Sequence, residues 1–253
     1  MDVYPAYPTL APLTPARLRS APVTEPRSFR QPRFQAPPGA TELILVRHGE
    51  SEAAVDGQTF DLVDGHGDPS LSPEGQEQAA KVCARLATER IDAIYVTTLR
   101  RTVETAAALA EVLGLTPIVE PDLREVYLGE WEGGQFRKHV AEQNPIAVRM
   151  LEEERWDVIP GAEPAQEFAA RVRGAVERIA AAHPDQRVAV FAHGGTIGEI
   201  LAQAARARPW AFAAADNASI SHLVVTPRRW EVRRFNDTSH LETALTTAAE
   251  PPT

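Results

Sequence analysis

Three short apolar runs constrain this chain more than any other feature. Leu43–Val46, Ile94–Val96 and Val188–Ala192 carry no polar residue. Runs of this length without polar alternation suit strands buried on both faces of a parallel sheet. Each run ends abruptly in polar residues. The first leads into Arg47-His48-Gly49-Glu50-Ser51, the second into Thr97-Thr98-Leu99-Arg100-Arg101, the third into His193-Gly194-Gly195-Thr196. Open α/β sheets bind ligands at the carboxyl ends of their strands. These three segments therefore mark one place in the fold.

The pattern between the runs is helical. Ser72 is a good N-cap and Pro73 a good first residue, predicting a helix from Pro73 to about Thr88. A strand over 91–96 precedes a helix from Arg100 to Leu113, closed by Gly114. A short strand over 116–120 follows. Residues 136–155 predict one or two short helices broken at Pro145, and 165–182 a long helix stopping before Pro184. After the strand at 188–192 come a helix over 195–205 and strands over 220–225 and 230–235, joined by a turn at Pro227. Such alternation predicts an α/β fold of three layers, with helices on both faces of a mostly parallel central sheet.

Residues 1–39 read differently. They hold nine of the 21 prolines and five arginines against two acidic residues. Proline removes a backbone donor, so the stretch predicts an extended or disordered arm ahead of a single domain over 40–253. A proline-stiffened arm also suits docking on the domain or on a second subunit, which leaves homo-oligomers open. The net charge of −9 argues against a general nucleic-acid binder. No apolar run approaches a membrane span, and no signal peptide is visible, so a cytoplasmic location without membrane contact is expected. Cys83 is the only cysteine. It reads as a packing residue.

If the three strand ends converge, Arg47, His48, Arg101 and His193 share one cleft. Two guanidiniums and two imidazoles suit a doubly charged phosphate. Gly49 and Ser51 after the first strand, and Gly194 and Gly195 before a helix, would aim backbone N–H groups at the same anion. Arg100 and Arg101 open a helix, where cations are disfavoured, and a bound anion would remove that conflict. Singly, each segment reads as a surface turn. Together, at three strand ends, they point to an anion site needing no metal or cofactor. The loop over 52–70 carries Asp56, Asp61, Asp64 and Asp68 but lacks the order of a calcium loop. It reads as a mobile flap whose charges would repel polyanionic substrates.

The segments resemble those of the histidine phosphatase superfamily, which includes cofactor-dependent phosphoglycerate mutases and many small-molecule phosphatases. They are Leu-Val-Arg-His-Gly-Glu-Ser (45–51), Leu-Ser-Pro-Glu-Gly-Gln (71–76), Thr-Leu-Arg-Arg-Thr-Val-Glu-Thr-Ala (98–106), Leu-Arg-Glu (123–125) with Gly-Glu-Trp-Glu-Gly (129–133), and Ala-His-Gly-Gly (192–195). The resemblance implies a phosphoglycerate mutase-like fold and a phosphohistidine intermediate on His48. It implies that Arg47, Arg101 and His193 hold the phosphate, with Ser51 and Gly194 in the same pocket. It implies that Glu125 donates the proton, its acidity weakened by partial burial.

One departure stands out. Where family members often place an Asn that helps hold phosphate, this chain has Ala54. Gln58, Thr59 and His66 are the candidates to replace it. Three functions fit the resemblance: a metal-independent phosphomonoesterase acting on a small phosphorylated metabolite, a phosphoglycerate mutase, and a non-enzymatic scaffold. Glu125 and His193 lie only 68 positions apart (193 − 125), too close for the helical lid of the mutases. All the expected polar residues except that Asn are present, which speaks against a scaffold. Substrate selection falls to 52–70 and 131–160, where Trp131, Gln135, Arg137, Lys138 and Trp156 read equally as ordinary surface or packing residues.

Overall fold

The structure, a computed structural model, describes residues 28–241. Residues 28–35 form neither helix nor strand and are exposed; the arm predicted over 1–27 lies outside the described residues. The compact unit begins at Ala36. Gly39, at φ +78°, turns the chain into the first strand.

That strand, β1 (Thr41–Arg47), is central. A small hairpin, β2 (Leu62–Val63) and β3 (His66–Gly67), interrupts the following loop. The helix α1 (Pro73–Leu86) leads to β4 (Ala93–Val96), α2 (Arg100–Leu113) and the short β5 (Ile118–Val119). Two short helices, α3 (Gln135–Ala141) and α4 (Pro145–Glu153), precede the long α5 (Ala165–Ala182). Then come β6 (Arg187–Ala192), α6 (Gly194–Ala205), β7 (Ile220–Val225) and β8 (Trp230–Asp237). The six-stranded sheet has the order β5-β4-β6-β1-β7-β8. β5, β4, β6 and β1 run parallel; β7 is antiparallel to β1 and to β8.

Local signals act as their chemistry dictates. The Ser72 hydroxyl accepts the Gly75 N–H at 3.1 Å, and Pro73 sits at the first turn of α1. Gly114 closes α2 in the left-handed region. The hairpin within 52–70 is the one element without a sequence signal, since each strand has only two residues.

Alternation along the strands divides the core. Leu43, Leu45, Val188, Val190 and Ala192 face α5 and α6 on one side. Ile44, Val46, Ala189 and Phe191 face α1 and α2 on the other. The sheet is therefore buried on both faces, which explains the unbroken apolar runs. The chain leaves the carboxyl ends of β1, β4 and β6 through α1, α2 and α6, the first two covering one face and the third the other. That is the switch point of the topology.

Candidate active site

Because β6 lies between β4 and β1, the residues after these strands meet. Arg47, His48, Arg101, Glu125 and Arg137 line one cleft, with Phe60, Leu128, Trp131 and Phe136 as apolar walls. Its volume is only about 90 Å³. A space far below the several hundred Å³ of ordinary ligand pockets suits a small group such as phosphate.

His48 is buried, and its tautomer follows from its neighbours. Nδ1 lies 2.7 Å from the Gly49 carbonyl oxygen, which can only accept, so Nδ1 carries the proton. Nε2 lies 3.3 Å from Nε of Arg101, which can only donate. Nε2 thus presents a lone pair to the cleft. Burial, then Arg101 and Arg47, holds this imidazole well below its usual pKa. A neutral ring with an available Nε2 is the nucleophilic form.

His193 is fully buried at the N-cap of α6, its ring 5.2 Å from that of His48. A chain of hydroxyls orients it. Thr102 donates to the Leu99 carbonyl at 2.8 Å, so Thr97, 3.0 Å away, must donate to Thr102. Thr97 then accepts from Nε2 of His193 at 3.0 Å. Nδ1 of His193 is left buried without a hydrogen-bond partner among the described residues. Burial and Arg101 keep this ring, too, well below the usual pKa. Arg101 donates to the Gly67 carbonyl at 2.9 Å; burial lowers its pKa to about 10, and it stays charged at neutral pH. Arg47 donates to the Ala215 carbonyl.

The backbone contributes less than expected. Gly195 and Thr196 N–H groups donate to the Glu125 carboxylate at 3.0 and 3.1 Å, so Glu125 caps α6. Val126 N–H joins them at 3.0 Å. Glu125 therefore stands at the cleft edge in polar surroundings. At α2 the Asp68 carboxylate accepts Arg100 N–H at 2.8 Å and pairs with its guanidinium. The anion that relieves this helix start is the chain's own Asp68. Gly49 N–H goes to Thr105 and Glu50 N–H to Gln78, so the turn after β1 is occupied as well. The cleft must hold an anion mainly with side chains.

The 52–70 loop, expected as a mobile flap, touches the rest of the domain at several points. Asp56 pairs with Lys138, Asp64 with Arg124 and Asp68 with Arg100. Phe60 N–H donates to the Gly133 carbonyl at 3.1 Å. Three of the four carboxylates expected to form a repulsive screen are thus paired, and Asp61 alone makes no ion pair among the described residues. His66 comes near His193, its ring tilted at 60° against Tyr127 with centroids 5.4 Å apart, and its Nε2 is buried without a hydrogen-bond partner among the described residues. Gln58 lines a separate hollow, and Thr59 lies against Gly133.

The sequence model of the histidine phosphatase superfamily (branch 1) matches residues 43–238. This chain belongs to that superfamily. It is 34% identical over 204 residues to phosphoserine phosphatase 1 of Hydrogenobacter thermophilus, covering 79% of this chain and 94% of the relative. It is 32% identical over 208 residues to phosphoglycerate mutase-like protein 4 of Arabidopsis thaliana, covering 79% and 87%. Among solved structures, a Bacillus anthracis phosphoglycerate mutase superposes with a TM-score of 0.69 at 20% identity, covering 80% of this chain and 96% of that one. A mycobacterial glucosyl-3-phosphoglycerate phosphatase superposes at 0.63 with 27% identity, covering 79% and 100%.

As a histidine phosphatase family member, the chain brings Arg47, His48, Ser51, Arg101, Glu125, His193 and Gly194 to one end of the sheet. Of the selectivity candidates, Arg137 alone places a charged group in the cleft beside Trp131. Trp156 is buried against Phe136 and Trp210, a packing role. Lys138 is exposed on its pair with Asp56.

Proposed function

We propose that this protein is a metal-independent phosphomonoesterase, hydrolysing a small phosphorylated metabolite through a phosphohistidine on His48. The observation that carries the reading is the tautomer of His48. Its Nδ1 proton is held by a carbonyl and its Nε2 lone pair lies beside a guanidinium. In the first step Nε2 attacks phosphorus and the ester P–O bond breaks. Arg47 and Arg101 balance the charge spread over the transferring group. Glu125 gives a proton to the departing oxygen. In the second step a water attacks the phosphohistidine, Glu125 takes the water's proton, and inorganic phosphate leaves. The cations are supplied by arginine, so no step calls for a metal. An Arabidopsis thaliana relative at 32% identity carries the name metal-independent phosphoserine phosphatase, which supports this part of the reading.

The test uses phosphorus-radiolabelled p-nitrophenyl phosphate in buffer containing EDTA, with quenching in alkaline detergent to trap labelled enzyme. The expected result is turnover, a label that is acid-labile and alkali-stable, and loss of both in folded His48→Ala. Residual turnover by that variant at wild-type level, or activity that needs a divalent ion, would overturn the proposal. Transfer from 2,3-bisphosphoglycerate to 3-phosphoglycerate outpacing hydrolysis would identify a mutase instead.

A further inference from the structure

Arg137 reaches the cleft from α3, outside the strand-end segments. Its guanidinium donates to the Ser51 hydroxyl at 2.7 Å and to the Glu52 carbonyl at 2.7 Å, and lies 5.7 Å over the Phe60 ring. All three partners are neutral. Among the described residues no carboxylate lies within ion-pair distance of it, whereas Arg100, Arg124, Arg171 and Arg187 are each paired. The side chain is half-buried, and burial lowers its pKa. It is close enough to act electrostatically on both His48 and Arg101. A partly desolvated cation close to Arg101, with no carboxylate in ion-pair contact and only Glu50 attracting it from farther away, is an unfavourable arrangement unless an anion completes it.

The geometry points to Arg137 as a phosphate-binding residue, the third guanidinium of the site, held in position by Ser51. This inference rests on the phosphatase reading and adds a residue to it. Ser51 accepts from Arg137 and lines the neighbouring hollow with Gln58, so it fixes the guanidinium from the side away from the cleft, whereas Arg137 borders both. The backbone donors at the three strand ends are largely taken, as described above, so side chains must do this work. Ala54 makes room. A Cβ on Gly134, which caps α3 at φ +99°, would lie only 3.2 Å from the Ala54 Cβ and 3.1 Å from the Phe60 ring. The small residue at 54 and the glycine at 134 let the start of α3 sit against the 52–70 loop. One helical turn later that helix delivers Arg137. A cation from α3 thus takes over what Gln58, Thr59 or His66 were candidates to do.

The test compares wild type, Arg137→Ala, Arg137→Lys and, as a control on the same helix, Lys138→Ala. The first readout is the inhibition constant of inorganic phosphate, which has no leaving group. The second is kcat/KM for p-nitrophenyl phosphate and for O-phosphoserine. Arg137→Ala should raise the phosphate constant about 10- to 100-fold, the usual weight of a charge-assisted hydrogen bond. It should lower kcat/KM for both substrates alike, with partial recovery in Arg137→Lys and no change in Lys138→Ala. Unchanged phosphate inhibition, with the loss confined to O-phosphoserine, would overturn the inference and make Arg137 a reader of the leaving group's carboxylate. If Arg137→Ala does not fold, Arg137→Gln, judged folded by its melting curve, gives the same decision. A wild-type protein that neither binds phosphate nor turns over p-nitrophenyl phosphate would instead sink the phosphatase reading itself.

Discussion

At the scale of single residues, the role of Glu125 has the sharpest test. Three backbone N–H groups hold its carboxylate at the cleft edge. That is also what a merely structural helix cap would look like. The two roles part company over the leaving group. An alkyl alkoxide needs a proton to depart; p-nitrophenolate does not. Glu125→Gln keeps the size and removes the transferable proton. Phosphoenzyme formation from an alkyl phosphate should therefore fall about 10²–10⁴-fold, the usual worth of general acid catalysis. The loss with p-nitrophenyl phosphate should be far smaller. Single-turnover release of the first alcohol separates this step from the later hydrolysis. Equal losses for the two substrates would leave Glu125 as a cap only.

At the scale of elements, glycines set how closely helices approach the site. A Cβ on Gly75, in the first turn of α1, would run into the Glu50 carbonyl, so α1 packs backbone to backbone under the turn carrying His48. At α6 the contact is with Glu125, the proposed proton donor. A Cβ on Gly195 would lie 2.6 Å from Oε1 of Glu125. Alanine is the better helix former, and the obstructing atom ends a flexible side chain, so Gly195→Ala should keep the melting temperature near that of wild type. It should displace the carboxylate. A shift of about 1 Å in a catalytic group can cost about 100-fold, and the loss should again be greater for an alkyl phosphate. Full activity on alkyl phosphate in a folded Gly195→Ala protein would show that the cap position does not matter to the chemistry.

At the scale of the whole molecule, burying the site links stability to pH. Burial holds the imidazoles of His48 and His193 well below their usual pKa, and those of His222 and His240 below it. Between that lowered value and the ordinary one near 6.5, the unfolded chain binds more protons than the native state. The full stability is therefore present above about pH 6.5 and declines as pH falls through the window below it. Urea unfolding followed by fluorescence of the four tryptophans should show a lower midpoint at pH 5.5 than at pH 7.5. A His48→Asn, His193→Asn double variant should show a shallower decline. An equal decline in wild type and variant would mean that these two rings do not carry the linkage.

The amino-acid sequence by itself determined the layers and the position of the site. Unbroken apolar runs require a sheet covered on both faces, and a strand end followed by Arg-His-Gly, Arg-Arg or His-Gly-Gly has only one rim to occupy. Caps such as Ser72 and Gly114 are local chemistry, so the helix limits they set are legible without the fold. What only the tertiary structure decided is which donors remain for an anion. Asp68 sits 32 positions before Arg100, and Glu125 lies 70 before Gly195, yet each closes a helix start that the sequence alone offered to a ligand. Arg137 reaches Ser51 across 86 positions, from a helix whose approach depends on Ala54 and Gly134 together. No periodicity encodes such pairings. They arise because every buried N–H group and every desolvated charge must find a partner somewhere in the folded chain, and only packing determines which partner is near.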